Sequence, residues 1–200
     1  DVSSAATCFY VLANNITLDC HGYKINYSQS VVGYGVNVTN YNYSTIRSCN
    51  IVQADIGSFP SNSYGIYIYR NSSNNTIYNN TITTLGGGGS GTDNYGIYLF
   101  SQVYNNKIYN NVIANTSSTD GFGIHLKDNV YNNSVYNNSI TTGESSAGIR
   151  LQETVYENRV YSNSISTTGS SGHGVRTSTT VYRNSIYNNT ITTDGADASG

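Results

Sequence analysis

The sequence predicts an all-β fold, a right-handed parallel β-helix of about seven coils. Three observations lead there. A segment of 25 to 31 residues recurs along the chain, each copy carries three short runs of alternating apolar residues, and asparagine and tyrosine return at fixed places beside those runs. Five copies align, the first reading YGIYIYRNSSNNTIYNNTITT and the third FGIHLKDNVYNNSVYNNSITT. Their leading glycines are Gly65, Gly96, Gly123, Gly148 and Gly174, separated by 31, 27, 25 and 26 residues. A weaker copy near Gly35 contains TIRSCNI, and an earlier one contains NNITLDCHGYKI. The chain therefore reads as a single domain over 1–200, with weaker coils in 1–60 and regular coils in 61–200.

The apolar runs define three rows. Ile66, Ile97, Ile124, Ile149 and Val175 form the first; Ile77, Ile108, Val135, Val160 and Ile186 the second; Ile82, Ile113, Ile140, Ile165 and Ile191 the third. One coil cannot bury such a set alone, but coils stacked at about 4.8 Å turn the rows into continuous internal ladders. Parallel strands joined this way wind right-handed in nearly all cases.

Asparagine supplies two further rows, Asn75/Asn106/Asn133/Asn158/Asn184 and Asn80/Asn111/Asn138/Asn163/Asn189. An asparagine at a bend tolerates left-handed backbone geometry and can pass amide hydrogen bonds to the copies above and below. Stacked identical amides are a device of repetitive β-architecture. Tyrosine does the same on the outside. Tyr78, Tyr109, Tyr136, Tyr161 and Tyr187 follow an inward Ile or Val, so alternation turns them outward, and Tyr104, Tyr131, Tyr156 and Tyr182 form a second row. Such ladders add stacking at each coil interface, about 0.5–1 kcal/mol per pair, and make a surface suited to sugars or lateral protein contact.

Composition narrows the function. Charged residues are 10% of the chain, against roughly 25% in typical soluble proteins, while 29 Asn and 49 Ser and Thr make it polar without charge. This fits an extracellular β-repeat protein, and the aromatic and β-branched content is too high for disorder. A formal charge of −2 argues against nucleic acid as a partner, which needs a basic footprint. No apolar run approaches the ~20 residues of a membrane span. The chain opens on Asp1 without an apolar signal segment, so a removed signal peptide or a longer parent is expected.

The pattern G-I-x-L…N-x-I-x-x-N-x-I resembles the parallel β-helix repeat of pectin-lyase-like proteins. The opening CFYVLANNITLDCHGYKI, followed by STIRSCNI, is similar to secreted and surface β-helix proteins common in archaea. The resemblance implies fold more than activity, because this scaffold carries lyases, hydrolases, epimerases, adhesins and purely structural solenoids. The enzymatic reading it implies is a polysaccharide lyase or hydrolase, which needs clustered or paired carboxylates. Only eight Asp and three Glu are present, mostly in loops and termini.

One concentration of chemistry survives. At the middle position of G-I-x-L the row reads Tyr67, Tyr98, His125, Arg150, Arg176, with Lys127, Asp128 and Glu153 alongside. His125, Asp128, Arg150, Glu153 and Arg176 are the candidate acid, base and oxyanion groups for a uronate substrate. The plainer expectation is an exposed sheet face solvated by charges that pair across coils. His21 and His173 read as turn residues. No Cys/His spacing suggests a metal, and no cofactor is expected. The variable loops after the third strand, including the four glycines at 86–89, either edge a groove or serve as slack connectors.

Cys20 and Cys49 are 29 residues apart, close to one coil, and are the disulfide candidates; Cys8 is then unpaired or displaces one of them. Glycosylation sequons stand at Asn15, Asn26, Asn37, Asn42, Asn71, Asn74, Asn79, Asn115, Asn132, Asn137 and Asn188, so glycans are candidate attachments or partners. Neither end shows a capping element, and open coil edges invite pairing. The expected function is a secreted structural solenoid, a subunit of a filament, sheath or surface layer associating head to tail. A carbohydrate-binding adhesin is the alternative, and a polysaccharide-degrading enzyme ranks behind both.

Overall fold

The computed structural model describes residues 1–54, 62–85, 93–115, 121–143, 146–195 and 200. They form a β-solenoid in which every strand pairs parallel with its counterpart one coil away. The first sheet holds seven strands, from Phe9–Val11 through Tyr34–Thr39, Tyr64–Tyr69, Tyr95–Phe100, Phe122–Lys127 and Ala147–Gln152 to His173–Ser178. The second sheet also has seven, from Thr17–Asp19 to Ser185–Tyr187, and the third has eight, from Val2–Ser3 to Thr190–Asp194.

The register is that of the apolar rows. Ile97 pairs Ile66 and Ile124, Ile108 pairs Ile77 and Val135, and Ile113 pairs Ile82 and Ile140. These side chains are buried in one continuous core running the length of the coils. A fully buried isoleucine stabilises by about 1.5–3 kcal/mol, which is why a chain this polar folds.

Three features lie beyond the rows read from sequence. Four coils carry an additional two-residue strand, Val103–Tyr104, Val130–Tyr131, Val155–Tyr156 and Val181–Tyr182, whose first three valines are fully buried. The third sheet buries a polar row, Gln53, Thr84, Asn115, Thr142 and Thr167, one alternation after the isoleucines. The leading glycine of each copy is a packing requirement. A Cβ at Gly123 would overlap the Ile140 Cγ2 methyl and lie 2.6 Å from the Gly148 carbonyl oxygen, and Gly65 and Gly96 face the same restriction.

The bends assign the two asparagines of each NN pair different work. The first takes the left-handed conformation, as at Asn74, Asn79, Asn105, Asn110, Asn132 and Asn137. The second is the ladder residue and keeps ordinary geometry. Its backbone N–H donates to the Oδ1 of the next ladder asparagine: Asn75 to Asn106 at 2.8 Å, Asn106 to Asn133 at 2.9 Å, Asn133 to Asn158 at 2.9 Å. The expectation that one asparagine does both is corrected. The left-handed place accepts Glu157, Ser162 or Arg183 as well, whereas from Asn75 and Asn80 onward the ladder place is asparagine in every coil.

Candidate functional site

The outer side of the first sheet is not the solvated face expected from its charges. Tyr64, Tyr67, Tyr95, Tyr98, Phe122 and Ala147 form a second apolar cluster there. Rings stack along the coils, Tyr64 on Tyr95 at 5.1 Å and Tyr95 on Phe122 at 5.2 Å, with Tyr98 set edge-on to Tyr95 at 5.0 Å. Burial is the main cause that pushes the Tyr64, Tyr67, Tyr95 and Tyr98 hydroxyls far above their ordinary pKa.

His125 continues the Tyr67/Tyr98 position, pairs in register with Arg150, and is only 2% exposed. Burial holds its pKa well below the usual imidazole range; Arg150 and Lys127 add to the shift, and Gln152 opposes it. Burial therefore favours the neutral ring in the folded chain. Arg150 lies over the Phe122 ring at 4.8 Å, and a cleft of about 180 Å³ is lined by Asp93, Tyr95, Phe122, His125, Lys127, Arg150 and Gln152.

Of the five candidate catalytic residues, the structure brings only His125 and Arg150 together at this cleft. Asp128 and Glu153 occupy left-handed turn positions beyond the strands. Asn129 donates to Asp128 at 3.0 Å, and Glu153 is held by Gln152 at 2.8 Å and by Lys127 at 3.4 Å. Arg176 pairs with Arg150 in the sheet and is exposed, outside the cleft lining. Asp93, which in the sequence reads only as one of the loop carboxylates, reaches the cleft because it stands two residues before Tyr95. Chemically, an imidazole beside Arg150 and Phe122, with the Asp93 carboxylate in the same lining, offers hydrogen bonds to a polar ligand. Among the described residues no group of three or more His, Cys, Asp or Glu could hold a metal ion. Segments 86–92, 116–120 and 144–145, where the groove-edging loops were expected, lie outside the described residues.

Both tyrosine ladders are present. Tyr78, Tyr109, Tyr136, Tyr161 and Tyr187 stack at 4.9–5.1 Å within 8° of parallel, and Tyr104, Tyr131, Tyr156 and Tyr182 at 5.0–5.1 Å within 6°. The ring faces thus cover one another and the ladders turn edges outward. Stacking on a sugar needs a free ring face, and along each ladder the faces are taken by the neighbouring rings.

Cys20 and Cys49 are disulfide-bonded across adjacent coils with Cα atoms 4.7 Å apart, and the Cys8 thiol is free, half-buried, and donates to the Asn26 carbonyl at 2.9 Å. Asn15, Asn71, Asn79, Asn132, Asn137 and Asn188 are exposed at left-handed bends. Asn26, Asn37, Asn42 and Asn74 are half-buried. Asn115 is 2% exposed and donates to the carbonyls of Asn94 and Phe122, so the folded chain offers a glycan no access there.

The two end coils differ. At Ser185–Tyr187 the apolar row is open, with Ile186 43% exposed. The opposite end has an apolar depression lined by Val2, Phe9, Leu18, Tyr23 and Ile25 among others. No helix among the described residues is long and apolar enough to cross a membrane. No curated protein and no solved structure matches the chain. A family model described as the right-handed beta helix region matches residues 2–191, nearly the whole of the stacked register, and the chain belongs to that right-handed β-helix family.

Proposed function

We propose that the chain is a secreted structural β-solenoid, a stiff rod segment of an extracellular filament, sheath or surface layer that lengthens by coil stacked on coil. One observation carries this reading. The recurrent residues are absorbed by cohesion: three apolar rows run the length of the coils, and two amide ladders from Asn75 and Asn80 onward and two tyrosine ladders from Tyr78 and Tyr104 onward tie the regular coils together. The outward positions do vary, as in the row Thr76, Lys107, Ser134, Arg159 and Ser185, but the positions that recur are the ones that hold coil to coil. The Cys20–Cys49 disulfide supports an oxidising compartment. Electron microscopy and fibre diffraction of the native material test the proposal. Rods with an axial spacing near 4.8 Å are expected. Dispersed protein that cleaves a polysaccharide, with activity lost in Arg150→Ala, would overturn it.

The cleft around His125 favours carbohydrate binding as the second reading, since it sets hydrogen-bonding groups over Tyr95 and Phe122. A glycan array on which the chain binds one sugar class, and Arg150→Ala does not, would move this reading ahead.

A further inference from the structure

The two bends that flank the second sheet carry their glycosylation sequons in alternate coils. Before its strands the register aligns Asn15, Tyr43, Asn74, Asn105, Asn132, Glu157 and Arg183 in one row. Every one of them has left-handed backbone geometry, yet Asn-x-Ser/Thr stands only at Asn15, Asn74 and Asn132, in the first, third and fifth coils. After the strands the register aligns Gly22, Ser48, Asn79, Asn110, Asn137, Ser162 and Asn188. All are again left-handed, and the sequons are Asn79, Asn137 and Asn188, in the third, fifth and seventh coils. The coils between lose the signal in different ways. Tyr43, Ser48 and Ser162 replace the asparagine, Glu157 and Arg159 replace both ends of the sequon, and Lys107 and Val112 replace the hydroxyl residue while Asn105 and Asn110 stay. The bend therefore needs no hydroxyl two residues on, and the return of the sequon in every second coil is not a demand of the fold.

Coils stacked at about 4.8 Å put alternate coils about 9.6 Å apart, and a three-residue strand at about 3.3 Å per residue separates the two bends by roughly 10 Å. Glycans are bulky, so two on neighbouring coils would claim the same space, while two on alternate coils each have their own. Asn79, Asn132 and Asn137 are exposed although a coil lies on either side of each. Asn132 and its sequon residue Ser134 line a surface hollow of about 270 Å³ with Asn105, Glu157 and Arg159. Asn79 and its sequon residue Thr81 line another of about 350 Å³ with Gly22 and Ser48. In both hollows the asparagine, the hydroxyl residue that marks it and room for a first sugar come together. The remaining sequons are set differently. Asn115 is buried, Asn26 and Asn37 are half-buried within strands, and the Asn42 oxygen accepts from the Ser73 N–H at 2.7 Å and hydroxyl at 3.0 Å. Ser73, buried and so engaged, is also the hydroxyl residue of the Asn71 sequon. Asn74 is half-buried, but its amide donates to a side chain, the Ser73 hydroxyl at 3.0 Å, and an amide has a second N–H for the linkage.

We propose that the chain carries N-linked glycans in alternate coils, on Asn15, Asn74 and Asn132 along one bend and on Asn79, Asn137 and Asn188 along the other, so that sugar coats the second-sheet face of the rod. The inference rests on the extracellular part of the structural reading and adds where the rod is modified. The donor is a glycan carried on a lipid phosphate, and a separate transferase moves it. The asparagine Nδ2 bonds to the anomeric carbon of the sugar, the bond from that carbon to the phosphate oxygen breaks, the lipid phosphate leaves with the electron pair, and one amide proton passes to base. Tyr78, Tyr136 and Tyr187 immediately precede Asn79, Asn137 and Asn188, so this tyrosine ladder lies between the two glycan rows. Lateral contact between rods then falls to the other faces.

Glycopeptide mapping and intact mass of the full chain, secreted by a host that N-glycosylates, read the sites directly. Glycans are expected at the six asparagines, with Asn26, Asn37, Asn42, Asn71 and Asn115 bare. Lys107→Thr then completes a sequon at Asn105, between Asn74 and Asn132, at an exposed position where neighbouring coils hold Thr76 and Ser134. No molecule of this variant should carry a glycan on Asn105 together with one on Asn74 or Asn132, and the largest intact mass should stay at six glycans. Val112→Thr repeats the test at Asn110, between Asn79 and Asn137, should the first variant fail to fold. A seventh glycan on either variant overturns the alternate-coil rule. A secreted chain with none of the six occupied, or with its glycans on the other five sequons, overturns the inference. Such a chain leaves the structural-rod reading standing, because the axial spacing of the native material decides that separately.

Discussion

Asn133 accepts two hydrogen bonds from Asn106 on one oxygen, from the backbone N–H at 2.9 Å and from the side-chain amide at 3.0 Å. Its own amide donates to Asn158 at 3.0 Å and to the carbonyls of Val103 and Tyr131. One buried side chain thus closes a bend and ties three successive coils. Asn133→Ala leaves the Asn106 N–H buried and unpaired, and should cost about 3 kcal/mol in urea denaturation. The neighbouring Asn132 holds only the left-handed bend at φ 55°, so Asn132→Gly should change stability by less than about 0.5 kcal/mol. Equal losses in the two variants would refute the division of labour within the NN pair.

Gly123→Ala should destabilise by about 2–3 kcal/mol, because its methyl must displace the Ile140 Cγ2 methyl and the Gly148 carbonyl. Ile140→Ala removes one of those obstacles. The double variant should therefore lose less than the sum of the single losses, and simple additivity would show that the glycine is not there for space.

The fold was legible because its signals are periodic. Ile66, Ile97 and Ile124 repeat at coil spacing, and stacking at that spacing has one answer. The site was not, for a reason visible at His125. Alternation places it outward, and outward ordinarily means wet, but Tyr64, Tyr95 and Phe122 on the same side build a second apolar layer over the sheet. Tyrosine reads as amphipathic in sequence, and only the stacked geometry shows that its rings shield one another. The polar row Gln53, Thr84, Asn115, Thr142 and Thr167 is hidden for the converse reason, since an inward position is marked in sequence by an apolar side chain and these are polar.

Stability should fall with acid in a window set by His125. Its folded-state pKa is depressed below the unfolded value near 6.5, so the unfolded chain takes up the proton first as pH falls. The contribution is full above about pH 6.5 and is lost below it, by at most about 1.4 kcal/mol per pH unit. His125→Tyr, which extends the Tyr67/Tyr98 row, should flatten the stability profile between about pH 5 and 6.5 relative to the unaltered chain. An unchanged slope would place the acid sensitivity elsewhere.

Reduction of the Cys20–Cys49 disulfide should loosen one end and spare the rest. The bridge closes a loop with a sequence separation of 29 residues, for which chain entropy gives about 3–4 kcal/mol. A solenoid passes stability only between neighbouring coils, so that loss is felt where it occurs and fades with distance. The first two coils are the ones whose ladder asparagines are missing, since the register places Ile16 and Ser44 at the Asn75 position and Tyr23 and Cys49 at the Asn80 position, so they have least to fall back on. Hydrogen exchange after reduction, or in Cys20→Ser with Cys49→Ser, should rise at least tenfold in residues 2–53. Protection in residues 95–168, held by the ladders from Asn106 onward, should stay unchanged. Uniform loss of protection along the whole chain would show that the coils fold as one unit and that the disulfide supports all of them.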